Sequence, residues 1–369
     1  MKILFLLANM HSPYEGIVRP FINWAKELAK NDYEVHLVTI KCGMGLINFT
    51  CSMRSYGIKY EDAKDANNVM DYIGQIKPDI VITDDSIDRL KLITKIKNRT
   101  RVRTAVYIQI LFGAHAIAEI FDLKYLSFGE RLKYNIAKLV PFVILKNIYK
   151  EKLLRHDILI ANSKTTASLL NVLYGIETYG IVYPPVDTSI FHPYSNKKKE
   201  QLMLYLGSHA GDTDEGFVKR IIKTVLRYKN TKLIVFGNKR LLSRLANVIN
   251  KNKDYLYILS GVSDRELARM YSSSKSTICP QKWEAFGYVA AESIACGTPV
   301  LAFNVMGLAE TIEQSKLGFT VYNSRLFLKI LERIVQNRMR LTNTTIDPEK
   351  LDFSINNSTR TLIKVLNDV

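Results

Sequence analysis

Cysteine is scarce in this chain. The 369 residues hold four, Cys42, Cys51, Cys279 and Cys296, and they show neither the spacing of a zinc site nor the density of a disulfide framework. Reduced thiols and a cytoplasmic setting are the expectation. Long apolar runs are also missing, and none reaches the roughly 20 residues that a membrane-spanning helix needs. The opening Met1-Lys-Ile-Leu-Phe-Leu-Leu-Ala is apolar but brief. Helical spacing follows it, so it reads as a buried parallel strand and not as a signal peptide. Acidic residues are few, 35 against 52 Lys and Arg, for a formal charge of +17. That balance favours an anionic partner: nucleic acid, an anionic membrane surface or a phosphorylated substrate. A generally basic proteome is the plain alternative. No helix-turn-helix, zinc-finger or RNA-recognition pattern is present, so no specific nucleic acid is expected. No aspartate-rich metal triplet is evident.

What the chain does have is a regular alternation. Lys2 to Ala8, Tyr33 to Ile40, Asp79 to Thr83 and Val102 to Ile110 read as strands, and Phe21, Trp24, Ala25 and Leu28 have helical spacing. Tyr183-Pro-Pro-Val-Asp187 is stiffened by proline and reads as a hinge. Beyond it, strand cores fall at 203–206, 233–236, 255–259, 276–279 and 299–303, with helices around 217–227, 264–272, 287–295 and 326–336. The fold class is therefore α/β, with mostly parallel, doubly wound sheets in two domains. Ligands of such sheets sit beyond the carboxyl ends of the strands. That rule puts residues 8–16, 84–86 and 109–115 at one rim.

One stretch is more specific: Pro280-Gln-Lys-Trp-Glu284-Ala-Phe-Gly287-Tyr-Val-Ala-Ala-Glu292-Ser-Ile-Ala-Cys-Gly297-Thr-Pro299. Phe286-Gly287 opens a helix, whose free N–H groups and positive dipole end suit a phosphate. Gly287 lets a ligand approach the backbone closely. Ionised carboxylates only accept hydrogen bonds, so Glu284 before the helix and Glu292 along it suit sugar or ribose hydroxyls. Two solvated glutamates are the plain alternative. The Phe-Gly step, the Gly-Thr-Pro closure and the flanking strands favour a site.

The stretch resembles the Glu-x7-Glu motif of retaining GT-B glycosyltransferases (family 4-like, group 1), with Gln281 where Ser is common. Other segments resemble that family in the expected order: Ile158-Leu-Ile-Ala-Asn162-Ser163, Val182-Tyr-Pro-Pro185, Leu204-Tyr-Leu-Gly207, Leu233-Ile-Val-Phe-Gly237, Gly261-Val-Ser263, and Gly307 with Glu310. The resemblance is strong from about 158 to 318 and weak before that. It implies two Rossmann-like domains facing across a cleft. Residues 1–185 would bind the acceptor and 186–350 the nucleotide sugar, with a C-terminal helix near 351–369 packing back on the first domain. It also implies transfer of a hexose from a nucleotide-diphosphate sugar to a glycan or lipid-linked acceptor, with retention and with no metal and no cofactor. Glu292 would bind the ribose, Glu284 the sugar hydroxyls, and the Phe286-Gly287 backbone the phosphate or sugar.

Elsewhere the match is incomplete. Gly16 stands where relatives often have two or more glycines, so a plain turn and a contact with the donor phosphate both stay open. Relatives commonly place a His after the fourth strand. Gln109 holds the more natural strand-end position and His115 comes six residues later, and both are catalytic candidates. Relatives usually place Arg after the glycine matched by Gly207, then a Lys-Gly pair. Here Ser208 and Glu215-Gly216 stand in those positions. Losing two cations weakens stabilisation of a departing diphosphate, unless Lys219, Arg220, His209, Lys239 or Lys282 compensates. Either the alignment slips in a longer loop or the donor site is altered.

Residues 124–152 mix Lys124, Arg131, Lys133, Lys138, Lys146, Lys150 and Lys152 with Tyr125, Phe128, Tyr134, Phe142 and Tyr149. That composition suits an anionic membrane surface, or a pair of packing helices with a solvated basic face. Together with the resemblance to enzymes extending lipid-linked oligosaccharides, it implies a peripheral protein on the inner membrane face. The missing cations raise an alternative, a catalytically silent GT-B protein that binds a glycan or an anionic surface. A sugar-nucleotide epimerase of similar shape fits the Glu-x7-Glu context poorly.

Overall fold

The computed structural model describes residues 1–8, 16–40, 53–109, 111, 142–194, 201–207, 213–339 and 346–368. His115, Ser208, His209 and the 124–141 part of the basic aromatic stretch lie outside these residues. The described residues fall into two compact units, one drawn from within Met1–Ala114, Pro141–Pro185 and Asp352–Val369, the other from within Val186–Leu351.

The first unit is built on strands β1 (Lys2–Ala8), β2 (Glu34–Ile40), β3 (Lys59–Ala63), β4 (Ile80–Asp84), β5 (Arg103–Ile108), β6 (Ile158–Ala161) and β7 (Gly180–Ile181). They form one sheet in the order β3-β2-β1-β4-β5-β6-β7, and every pairing is parallel. Ile3 to Leu7 are all buried, as a strand covered on both faces requires. In register, Ile3 meets Val35 on one side and Ile80 on the other. Helices α1 (Arg19–Lys30), α2 (Ala66–Ile76), α3 (Ile87–Thr100), α4 (Phe142–Leu153) and α5 (Lys164–Tyr174) alternate with the strands. Trp24 of α1 packs edge-on to Tyr107 of β5, with centroids 4.7 Å apart. The apolar alternation of the sequence does not mark β3, β7, α2, α3 or α5. β3 reads Lys-Tyr-Glu-Asp-Ala and lies at the sheet edge, so it lacks an apolar run. α2 starts on an Asp65 cap that accepts from the N–H groups of Asn67 and Asn68.

The second unit has strands β8 (Gln201–Tyr205), β9 (Lys232–Phe236), β10 (Leu256–Ile258), β11 (Ser274–Cys279), β12 (Val300–Phe303) and β13 (Gly318–Val321). Its helices are α6 (Glu215–Leu226), α7 (Lys239–Asn250), α8 (Asp264–Ser272), α9 (Tyr288–Ala295), α10 (Met306–Ser315) and α11 (Ser324–Val335). The sheet order is β10-β9-β8-β11-β12-β13, again parallel throughout. The chain starts at β8, winds outward to β10, then resumes at β11 on the other side of β8. The strand order therefore reverses between β8 and β11, where Leu204 lies opposite Ile278. That junction is where an open α/β sheet leaves a crevice for a ligand.

The last helix, α12 (Ile355–Asn367), returns to the first unit. The Trp24 indole N–H donates to Ser358 Oγ (2.9 Å), and the Ser358 hydroxyl donates to the Tyr183 carbonyl (2.5 Å). Arg103 donates to the Leu366 carbonyl (2.8 Å), while Leu362 and Leu366 join the core of Ile3, Phe5 and Trp24. Ser358→Ala removes the middle of this relay and leaves the buried Trp24 indole N–H without its Ser358 acceptor. The expected cost is about 1–3 kcal/mol, read as a lower urea midpoint with an unchanged slope.

Candidate functional site

In the second unit the site residues gather at the carboxyl ends of the two central strands. Gly207 follows β8 and takes φ +78°. Across from it, β11 ends at Cys279 and the chain continues through Pro280 and Gln281. Gln281 is buried, and its side-chain N–H donates to the Tyr205 carbonyl (2.8 Å). The residue that departs from the common Ser thus pins the start of the loop to the end of β8. Lys282 comes next, exposed and with no ionic partner among the described residues.

Glu284 and Gly287 are joined by local geometry. The Gly287 N–H donates to Glu284 Oε1 (3.2 Å), and Gly287 is the N-cap of α9 at φ +92°, ψ +62°. A side chain there is strained on two counts: the left-handed backbone, and a Cβ that would fall 2.8 Å from Leu308 Cδ1. An ionised carboxylate offers about four lone-pair sites, so the bond to Gly287 and a ligand hydroxyl are compatible. Phe286 is buried and meets Tyr288 edge-on at 5.4 Å. Its carbonyl accepts from the Thr311 hydroxyl (2.8 Å).

That bond belongs to a second helix aimed at the same loop. α10 opens at Met306, which holds φ +42°, and no side chain caps it. Gly307 lies so close to the loop that a Cβ there would sit 1.9 Å from the Ala285 carbonyl oxygen and 2.9 Å from Phe286 Cα. Gly307 and Thr311 therefore fix the height of residues 285–286. Thr311 carries no motif signal. Its spacing of four from Gly307, on one helix face, is the only sequence hint of its part.

Glu292 lies one turn into α9 and is 1% exposed. Tyr271 of α8 is 0% exposed, and its hydroxyl has no hydrogen-bond partner among the described residues. Burial, and after it the charge of Glu292, push the Tyr271 phenol well above its ordinary range, so it stays a neutral donor. Burial first and Glu284 second push the Cys279 thiol up, so it is an inert core residue.

The cations implied for the diphosphate are arranged otherwise. α6 starts on Asp214, whose carboxylate accepts from the Phe217 N–H (2.6 Å). Glu215 then holds Lys219 at 2.6 Å and Arg244 at 3.4 Å, and its hydrogen bond from Lys219 is the largest cause of a lowered carboxyl pKa. Lys219 is thus committed to Glu215. Among the described candidates, Lys282 and Lys239 are exposed and without an ionic partner, whereas Arg220 stacks over the Phe217 ring at 5.1 Å.

In the first unit, Gln109 and the Gly16 turn come together. The Gln109 side-chain N–H donates to the Ile17 carbonyl (3.0 Å), so this amide anchors the turn. A Cβ on Gly16 would meet nothing within 4 Å, so local packing does not require a glycine there. The organiser of this rim is Asp85, fully buried, which accepts from the N–H groups of Gln109 (2.9 Å) and Leu111 (3.0 Å) and from the Tyr149 hydroxyl (2.6 Å). Asp84 pairs with Arg89 beside it. Among the described residues no three His, Cys, Asp or Glu side chains converge as a metal site, and no helix is long and apolar enough to cross a membrane.

At the switch point, two helix starts without side-chain caps and a carboxylate just before one of them form an arrangement that suits an anionic, hydroxylated ligand. Residues 188–346 match the family model described as glycosyl transferases group 1. An uncharacterized glycosyltransferase of Methanocaldococcus jannaschii is 28% identical over 125 residues, 33% of this chain and 32% of that protein. D-inositol 3-phosphate glycosyltransferase 1 of Catenulispora acidiphila is 27% identical over 218 residues, 50% of each. The chain thus matches between a third and a half of the length of these curated relatives. Along its whole length it is similar to the Anabaena protein HepE, solved in complex with UDP and glucose, with a TM-score of 0.73, 14% identity and 100% coverage of both chains. The fold is GT-B: two Rossmann-like α/β units, each on a parallel sheet.

Proposed function

We propose that the protein transfers a hexose from a nucleotide-diphosphate sugar to a glycan or lipid-linked acceptor, with retention at the anomeric carbon, with no metal and no cofactor, at the inner face of the cytoplasmic membrane. The observation that carries this reading is the Glu284–Gly287 pair, a carboxylate hydrogen-bonded to the N-cap of α9 at the end of β11. In that reading the first N–H groups of α9 and α10 meet phosphate oxygens, Glu284 orients sugar hydroxyls and Glu292 accepts from the ribose. Rate enhancement comes from holding donor and acceptor in register and from stabilising the departing diphosphate. Lys282 is the cation nearest in sequence to Glu284 and takes over charge that an Arg after Gly207 supplies in relatives. The second unit binds the donor and the first the acceptor.

One observation favours a second reading. Asp214 and Glu215 make the start of α6 acidic, and Glu215 engages Lys219, which fits a silent protein that binds without turnover. The test is a thermal-shift screen with UDP-, GDP- and ADP-sugars, followed by hydrolysis and transfer assays with and without a lipid-linked acceptor and with EDTA. Stabilisation, then turnover that survives EDTA and keeps the donor's anomeric configuration, is the expected result. Stabilisation without turnover supports the silent reading, and no shift with any nucleotide sugar overturns the transfer reading.

A further inference from the structure

α4 turns an apolar side to solvent. Val143, Ile144 and Ile148 are 62%, 49% and 43% exposed, and Leu154, just past the helix end, is 59% exposed, whereas Tyr149 and Leu153 are buried. A surface helix on a globular unit ordinarily shows the reverse arrangement. At about 100° per residue the four apolar positions share roughly 140° of arc. Single exposed apolar residues are normal, but a cluster on one helix side is not.

The borders of that side are cationic. Lys146 and Lys150 flank it on one edge and Lys152 on the other, by the same helical spacing. The one acid on the face, Glu151, is ion-paired with Arg155. Lys97 of α3 reaches the Arg155 carbonyl (3.0 Å) and the Asp157 carboxylate (2.6 Å), which fixes α3 beside the end of α4. α3 brings Lys95 and, just past its end, Arg101 to the surface, both without an acidic partner among the described residues.

We infer that this side of α4 seats the first unit on an anionic lipid bilayer. Val143, Ile144, Ile148 and Leu154 enter the boundary between headgroups and acyl chains, and the flanking lysines meet lipid phosphates. Charge decides between this occupant and a second copy of the chain. A two-fold contact through the same face sets its lysines against their own copies, and the whole chain carries +17. An anionic bilayer complements both the apolar stripe and its borders. The inference gives the membrane part of the proposed function a surface, and it stands on the first unit alone. Vesicle binding is read without turnover, so its failure leaves the glycosyl-transfer reading intact, and the reverse also holds.

The test is flotation of the full chain with phosphatidylcholine vesicles, with and without phosphatidylglycerol, at low and high salt. Strong binding to the anionic vesicles is expected, weakened by salt. The combined variant Val143→Ser, Ile144→Ser, Ile148→Ser, Leu154→Ser keeps the net charge and is expected to bind them roughly tenfold more weakly or worse. Lys146→Gln with Lys152→Gln is expected to cost about fivefold per lysine on anionic vesicles and nothing on neutral ones. The four apolar positions are exposed and the two lysines half-buried at the surface, so urea unfolding should match the parent, and the lysine pair decides alone if the serine variant does not fold. Unchanged binding of either variant overturns the inference. So does a parent that ignores anionic vesicles, or one that forms a dimer which the serine variant abolishes.

Discussion

Gly307→Ala is expected to abolish nucleotide-sugar binding and to destabilise the second unit by about 3 kcal/mol or more. The added Cβ would lie 1.9 Å from the Ala285 carbonyl oxygen, 2.6 Å from its carbon and 2.9 Å from Phe286 Cα. All three are backbone atoms, so no rotamer change relieves the overlap. Either α10 backs away from the loop or residues 285–286 shift, and both movements break the Thr311–Phe286 hydrogen bond. The loop also carries Glu284 and the start of α9, so a shift there displaces together the groups proposed to meet the sugar hydroxyls and the phosphate. Thermal denaturation and calorimetric titration with the nucleotide sugar chosen by the thermal-shift screen measure the two effects. Gly16→Ala is the matching control, since a Cβ there meets nothing within 4 Å, and it should unfold like the parent. A Gly307→Ala protein that keeps parental stability and affinity shows that the close contact does not set the loop.

Glu292→Gln is expected to cost about ten- to a hundredfold in nucleotide-sugar affinity while changing stability little. The loss corresponds to hydrogen bonds to a charged acceptor, each about 1.5–3 kcal/mol. The stability side follows from burial. Glu292 is 1% exposed, and an amide of the same shape avoids the desolvation of a buried carboxylate while retaining its packing. A merely structural role predicts the opposite pairing, with lower stability and unaltered affinity. Comparing melting midpoints without ligand against titrations with it separates the two outcomes.

The fold was legible wherever burial on both faces forces a continuous apolar run. β1, β2, β4 and β5, with β8, β9, β11 and β12, all read directly from the chain, as did α1, α6, α8, α9 and α11, whereas α3, α5 and α7 did not. The exceptions have physical causes. β3 is a polar edge strand and β13 is four residues whose sides are only partly buried. α10 begins with a left-handed Met306 and no side-chain cap, so it carries none of the usual start signals. The 280–287 loop was readable as a motif because Glu284 and Gly287 lie only three residues apart in sequence and interact with each other. The supports were not. Gln281 reaches back to Tyr205, Thr311 reaches back to Phe286, and Asp85 gathers Gln109, Leu111 and Tyr149 from distant segments. A linear pattern does not show such long-range polar contacts. Gln109, sought as a strand-end candidate, also donates one amide N–H to the Ile17 carbonyl, a contact its position in the chain does not show.

The return of α12 has a consequence for biosynthesis. The first unit takes its opening strands from the beginning of the sequence and its closing helix from residues 355–367, with the second unit between them. On a translating ribosome the second unit has all of its strands while the first still lacks Ser358, Leu362 and Leu366. Until those residues emerge, Trp24 has no partner for its indole and one side of the nascent first unit stays open. Folding therefore cannot run strictly in the order of synthesis: the unit that begins first is completed last, and a chain stalled after the second unit exposes an unfinished core to chaperones and proteases.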